Sequence, residues 1–117
     1  MNVRILVANA SHIGYAERIC ELMYISALER GTGIARRSPE YIGEKMSSNK
    51  AVIALDGKKV VGFSYIETWS HKSFVANSGL IVDHDYRHLG VASRLKKRIF
   101  HLSRQLYPQA KIFGTPT

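Results

Sequence analysis

The stretch NSGLIVDHDYRHLGVASRLKKRIFHLSR, residues Asn77 to Arg104, decides how this chain is read. Leu80-Ile81-Val82 is an apolar run with β-branched residues, of strand type, and Asp83-His84-Asp85 breaks it. From Ala92 the apolar residues fall at Ala92, Leu95, Ile99, Leu102 and Leu106. Steps of three and four place them on one stripe of a helix. Between strand and helix lies Arg87-His88-Leu89-Gly90-Val91-Ala92, whose small residues let the backbone come close to a ligand. A helix start presents free N–H groups, and Gly90 removes the side chain that would block approach. The pattern predicts an anion cradle at the mouth of a strand–helix unit.

Working outward toward the N-terminus, Ser73 to Val82 forms the strand that feeds this loop, and Trp69 to Lys72 turns the chain before it. Lys59 to Thr68 is the preceding strand, with Val61, Phe63 and Tyr65 expected on one face and Val60, Ser64 and Ile66 on the other. Gly62 in mid-strand suggests a bulge or a close backbone approach. Asp56-Gly57 is a two-residue hairpin turn linking it to the buried strand Ala51–Leu55. Ser38-Pro39 starts a short helix to about Met46, with serine as cap and proline in the first turn. Before it, Ile13, Ala16, Cys20, Met23 and Ala27, widened by Ile19 and Leu28, mark a longer helix that ends at Gly31. Val3 to Ala8 is the first strand. Beyond the basic helix, which Pro108 stops, Ala110 to Gly114 is a fifth strand.

The run Arg87-x-x-Gly90-x-Ala92 after an apolar strand resembles motif A of the GCN5-related N-acetyltransferase (GNAT) family, which reads Gln/Arg-x-x-Gly-x-Gly/Ala. The resemblance implies an α/β fold with a mixed sheet, in the order β-α-α-β-β-β-α-β. It implies acetyl-CoA as co-substrate, its pyrophosphate held by the backbone amides of Arg87, His88, Leu89, Gly90, Val91 and Ala92. It also implies a fourth strand splayed from the fifth, where the backbone of Ile81 and Val82 pairs with the pantetheine arm. The amide near Ile81 is then the expected oxyanion donor. Glu67 and His71, at the end of the third strand, are candidate bases, with His84 behind them. Arg36 and Arg37 lie where the family builds one wall of the acceptor site. Guanidinium groups there can hold a carboxylate, or they can be solvated loop residues. The wording of RGTGIARRSPEYI and FVANSGLIVDHDYRHLGVA is similar to bacterial acetyltransferases of arginine biosynthesis, which implies an amino-acid acceptor such as glutamate.

The resemblance spans nearly all of the chain, yet the family fold continues past the fifth strand with a helix and further strands. A fifth strand left as an edge is expected to pair with a second copy, giving a homodimer, or else to leave the C-terminus disordered. The tyrosine that often protonates the leaving thiolate comes from that later part. Tyr65 and Tyr86 could serve only as substitutes, so an active enzyme and a catalytically silent CoA-binding or regulatory module both fit the sequence.

Composition bounds the rest. The chain has 117 residues, enough for one domain, and 45% are hydrophobic. Its N-terminus lacks the layout of a signal peptide, and no apolar run approaches a membrane span. The single cysteine, Cys20, excludes an internal disulfide and suggests a reducing, cytoplasmic setting with a buried, inert thiol. No metal-ligand spacing is present. The net charge is +8, and no acid follows Asp85, so Arg94, Lys96, Lys97 and Arg98 form a basic helix. A solvated face, attraction of the cofactor's phosphates, and nucleic-acid binding all fit that charge.

Overall fold

The computed structural model describes residues 2–31, 37–69 and 73–113. Five strands form one sheet in the spatial order β1 (Val3–Val7), β2 (Ala51–Asp56), β3 (Lys59–Trp69), β4 (Phe74–Val82), β5 (Lys111–Phe113). The first four are antiparallel to their neighbours, and β5 runs parallel to β4. Helices α1 (Ala16–Arg30) and α2 (Pro39–Ser47) cover one face, and α3 (Val91–Leu106) covers the other. This is the α/β fold with a mixed sheet and the element order expected from the sequence. No helix among the described residues is long and apolar enough to cross a membrane.

Each helix is set by local chemistry. Asn9 caps a short 3-10 turn, Ala10–Tyr15, that precedes α1, so the α-helix begins later than the apolar spacing suggested. Ala16, Ile19, Leu22, Met23 and Ala27 are its buried residues. Ile13 and Leu28 fall outside that stripe and are 45% and 58% exposed. Cys20 is half-buried against the core edge rather than enclosed. For α2, the Ser38 hydroxyl accepts from the Tyr41 amide at 3.1 Å, and Pro39 occupies the first turn. Ser38→Ala should cost about 1 kcal/mol in urea unfolding, the usual value of such a cap. In α3 the buried stripe is Val91, Leu95, Ile99, Leu102 and Ser103, while Leu106 is 42% exposed.

The sheet departs from regular alternation at two places. Against β2, Gly62 lies opposite Ala54 and Val60 opposite Leu55, so Val61 is an extra residue on β3. Its carbonyl accepts the Asp83 amide at 2.8 Å. The bulge swaps the faces read from the sequence: Val60 packs with Phe63 and Tyr65 under α1 and α2, and Val61 packs with Ile66 under α3. Gly62 is also a point of close approach, because a Cβ there would sit 2.8 Å from Leu95 Cδ1 and 3.3 Å from the Ile81 carbonyl. The second bulge lies on β4. Phe63 pairs with Ile81 but Tyr65 pairs with Ser78, two steps on β3 against three on β4. Gly79, at φ +63°, takes up the difference.

Candidate functional site

The loop between β4 and α3 is built from backbone turns. Asp83 is buried, and its carboxylate accepts the Asp85 amide at 3.0 Å, which closes the 3-10 turn His84–Tyr86. Arg87 is then extended, and His88 and Gly90 adopt φ of +66° and +80°. Gly90 is the N-cap of α3 and supplies no side chain to the first-turn amides. The amides of Val91, Ala92 and Ser93 are therefore left to a ligand or solvent, at the positive end of the helix dipole. They open on a cavity of about 360 Å³ walled by Val82, Tyr86, His88, Ser93, Lys96 and Lys97. Leu89 is half exposed and turns away from this lining.

Arg87 reaches across to α1. Its guanidinium donates to Glu29 Oε1 at 2.7 Å, and His84 Nδ1 lies 3.3 Å from Glu29 Oε2. The Arg87 hydrogen bond holds the Glu29 carboxyl below the usual carboxylate range. Tyr86 donates to the Asp56 carboxylate in the β2–β3 turn, which raises its own pKa above that of an ordinary phenol. His84 and Tyr86 thus have structural partners in this arrangement.

Strand β4 continues the site. Its pairing with β5 covers Phe74, Val75 and Ala76 only. From Asn77 to Val82 the backbone on that side has no strand partner among the described residues, so amides and carbonyls line an open edge. The Gly79 bulge lies in the middle of it. Ser64 donates to the Ser78 carbonyl at 3.0 Å, next to the bulge. Ile81 is buried and Val82 half-buried.

On the α1–α2 face beside the bulge, Tyr65 organises a cluster. Its ring lies over Gly79, where a Cβ would come within 2.1 Å of Tyr65 Cε1. Arg37 Nε donates to the Tyr65 hydroxyl at 2.9 Å, and its guanidinium sits 5.1 Å from the centre of the Tyr41 ring. Tyr41 meets Tyr65 edge-on with centroids 5.8 Å apart. Lys45 donates to the Ile66 carbonyl at 2.7 Å and lies 3.8 Å from Glu67 Oε2. That separation is too long for a hydrogen bond, so burial governs both groups. It pushes the Glu67 carboxyl up and the Lys45 ammonium down from their ordinary values, with Arg37 opposing part of the rise at Glu67. Glu67 Oε1 is buried and has no hydrogen-bond partner among the described residues.

Of the residues singled out from the sequence, Arg87 to Ala92 form the loop, Ile81 and Val82 lie on the open edge, and Glu67 and Arg37 share the cluster. Arg36 and His71 lie outside the described residues. Tyr41, Lys45, Ser64 and Gly79 are not site residues in the sequence reading, and Tyr65 enters it only as a substitute acid. The readable signal was the pair Tyr41 and Lys45, one turn apart on α2 beside Arg37. Among the described residues no group of His, Cys, Asp and Glu is arranged to hold a metal ion.

A strand-to-helix loop of uncapped amides next to a bulged, open-edged strand is the architecture of an acyltransferase of the type the sequence resembled. The family model for the acetyltransferase (GNAT) family matches residues 26–113, and the chain belongs to that family. No curated protein matches the chain. Among solved structures, it is similar to N-acetylglutamate synthase from Neisseria gonorrhoeae complexed with coenzyme A and N-acetyl-glutamate: TM-score 0.70, 22% identity, covering 91% of this chain and 23% of that one. Diaminobutyrate acetyltransferase EctA from Paenibacillus lautus, in complex with L-2,4-diaminobutyric acid and coenzyme A, gives a TM-score of 0.67 at 16% identity, covering 85% and 57%. A protein described as a GNAT family acetyltransferase from Staphylococcus aureus gives 0.67 at 20%, covering 98% and 100%. The chain thus spans about a quarter and somewhat over half of the first two, and the full length of the third.

Proposed function

We propose that this chain binds acetyl-CoA and transfers its acetyl group to the primary amine of a small acceptor, an amino acid such as glutamate. The observation that carries the reading is the continuity of the uncapped α3 amides with the open edge of β4. One extended ligand with a diphosphate at one end and amides along its arm fits both. The open space at Gly90, where an added Cβ would meet nothing within 4 Å, agrees with a diphosphate lying against the loop. CoA complexes of two similar proteins support the donor, and their bound amino acids support the acceptor class.

In this reading the amine nitrogen attacks the thioester carbonyl, the carbon–nitrogen bond forms, and the carbon–sulfur bond breaks to release the CoA thiolate. That thiolate takes the second proton of the nitrogen by way of water. The backbone amide near Ile81 donates to the developing oxyanion. Glu67 takes the ammonium proton, directly or through one water, and its burial suits a base with a raised pKa. His71 is the second candidate base. Arg37 keeps its terminal nitrogens for an acceptor carboxylate while Nε is bound to Tyr65, and Arg36 adds a second guanidinium. The reading includes a cytoplasmic setting, supported by the single cysteine, and two copies joined along β5, whose outer edge meets no strand among the described residues.

Calorimetric titration of acetyl-CoA, followed by transfer assays across amino acids beginning with glutamate, tests the proposal. Saturable binding with turnover is the expected result. Binding without turnover on any amine leaves the silent CoA-binding module, and no binding by the folded chain overturns the reading. Glu67→Gln should lower kcat about 10²-fold, within the range for loss of a general base. It should also remove the limb of the pH–kcat/KM profile that rises above the ordinary carboxylate range. Stability should move the other way. A carboxyl whose pKa is raised by folding stabilises the folded state only below that raised value, so the glutamine variant should lose no stability at neutral pH.

A further inference from the structure

The opposite edge of the sheet carries a second surface, which shares only Lys97 with the cavity at the start of α3. Strand β1 pairs with β2 alone, so its other side is an unpaired edge among the described residues. Which groups face outward follows from parity. The Ala8 amide donates to the Ala51 carbonyl at 2.9 Å, which turns Ala8, Leu6 and Arg4 toward β2. Val3, Ile5 and Val7 then present their amides and carbonyls to the outside. The Val3 carbonyl confirms the assignment, because Arg94 of α3 donates to it at 3.0 Å.

Above this edge, Ile5 and the α3 residues Arg94, Lys97, Arg98 and His101 line a groove of about 430 Å³. Spacings of three, four and seven put the four basic residues on one side of the helix. None of them pairs with a carboxylate among the described residues. The groove therefore combines a backbone edge that can take one more strand, an apolar floor at Ile5, and a roof of uncompensated positive charge.

We propose that the β1 edge docks an extended acidic peptide segment of a partner protein, added as a sixth strand beneath the basic face of α3. Main-chain hydrogen bonds to Ile5 and Val7 would provide the docking, and alternate carboxylates would meet Arg98 and His101. A second copy of the chain is the wrong occupant. Antiparallel pairing of two β1 strands about an axis normal to the sheet sets both α3 helices side by side on one face, so that their like charges repel. Nucleic acid would satisfy the charge but not the row of peptide groups on the edge.

The test uses the whole chain and a blocked peptide alternating glutamate with valine, followed by fluorescence anisotropy at low and physiological salt. Two forms of the peptide carry N-methyl groups on one or the other alternate set of amides. Only one set can face β1, so one methylated peptide should bind at least tenfold more weakly than the other. The double variant Arg98→Glu/His101→Glu should weaken the peptide at least tenfold while leaving acetyl-CoA binding and the melting temperature unchanged. Failure of the acyltransferase reading would appear in the acetyl-CoA titration and leave the peptide result standing. Equal binding by both methylated peptides, tighter binding of a single-stranded oligonucleotide of the same charge, or no peptide binding would each overturn the proposal.

Discussion

Gly79→Ala should destabilise the fold by about 2–5 kcal/mol, the sum of a left-handed backbone penalty and an overpacked core. At φ +63° an L side chain is strained in any surroundings, and here the methyl group would lie 2.1 and 2.6 Å from two atoms of the Tyr65 ring. That ring is buried, and its hydroxyl holds Arg37, so it cannot swing aside without breaking the cluster. Set against a domain stability of roughly 5–15 kcal/mol, such a loss takes a large share. The measurement is urea unfolding of Gly79→Ala alone and in a Tyr65→Ala background. With the ring removed, the close contact left is the flexible end of Met23 at 3.2 Å, so the methyl should cost little beyond the backbone part, about 1–2 kcal/mol. An equal cost in both backgrounds would show that the ring does not set the requirement.

Gly90→Glu should leave the fold in place and remove acetyl-CoA binding. The position also has a positive φ, +80°, but an added Cβ meets nothing within 4 Å, so the backbone penalty is unaccompanied by a clash. The new carboxylate would stand at the open end of the first-turn amides. A like charge about 4 Å from a phosphate at an effective dielectric of 20 costs about 4 kcal/mol. That corresponds to about 10³-fold in affinity. Gly90→Ala, which adds the strain without the charge, should lose far less. Calorimetry on both variants, with thermal melts to establish folding, separates the two effects. Retention of binding in Gly90→Glu to within tenfold would place the diphosphate elsewhere.

The parts of the molecule legible in the sequence are those that depend on neighbouring residues alone. The α3 stripe, the Ser38-Pro39 start and the Gly90 loop each carry their cause within a few positions. The β2–β3 hairpin was legible too, but its two turn residues are Gly57 and Lys58 rather than Asp56 and Gly57, because Asp56 pairs with Lys59. The family resemblance supplied the element order around them. Val60 and Val61 were placed on the wrong faces because the bulge is set by pairing with Ala54 and Leu55, which strict alternation along β3 cannot reveal. Gly79 passed unnoticed because its need for a bare Cα comes from Tyr65 on the adjacent strand. Tyr41 and Lys45 look like an ordinary half-exposed helix face until α2 is laid across the end of β3. Ile13 and Leu28 met the spacing rule, but Ile13 lies in the 3-10 turn before α1 rather than on the helix, and both are exposed.

The two halves of the site are made of different material. In the proposed reading the donor side relies chiefly on main-chain groups of α3 and β4, held by turns and by two glycines with positive φ. The acceptor side consists of side chains: Arg37, Tyr41, Lys45 and Glu67. A point substitution can rewrite a side chain at any position, but it can reach an amide only by disturbing the backbone that carries it. Under that reading, descendants of this chain are free to drift across acceptors one residue at a time, while the donor stays fixed by inheritance.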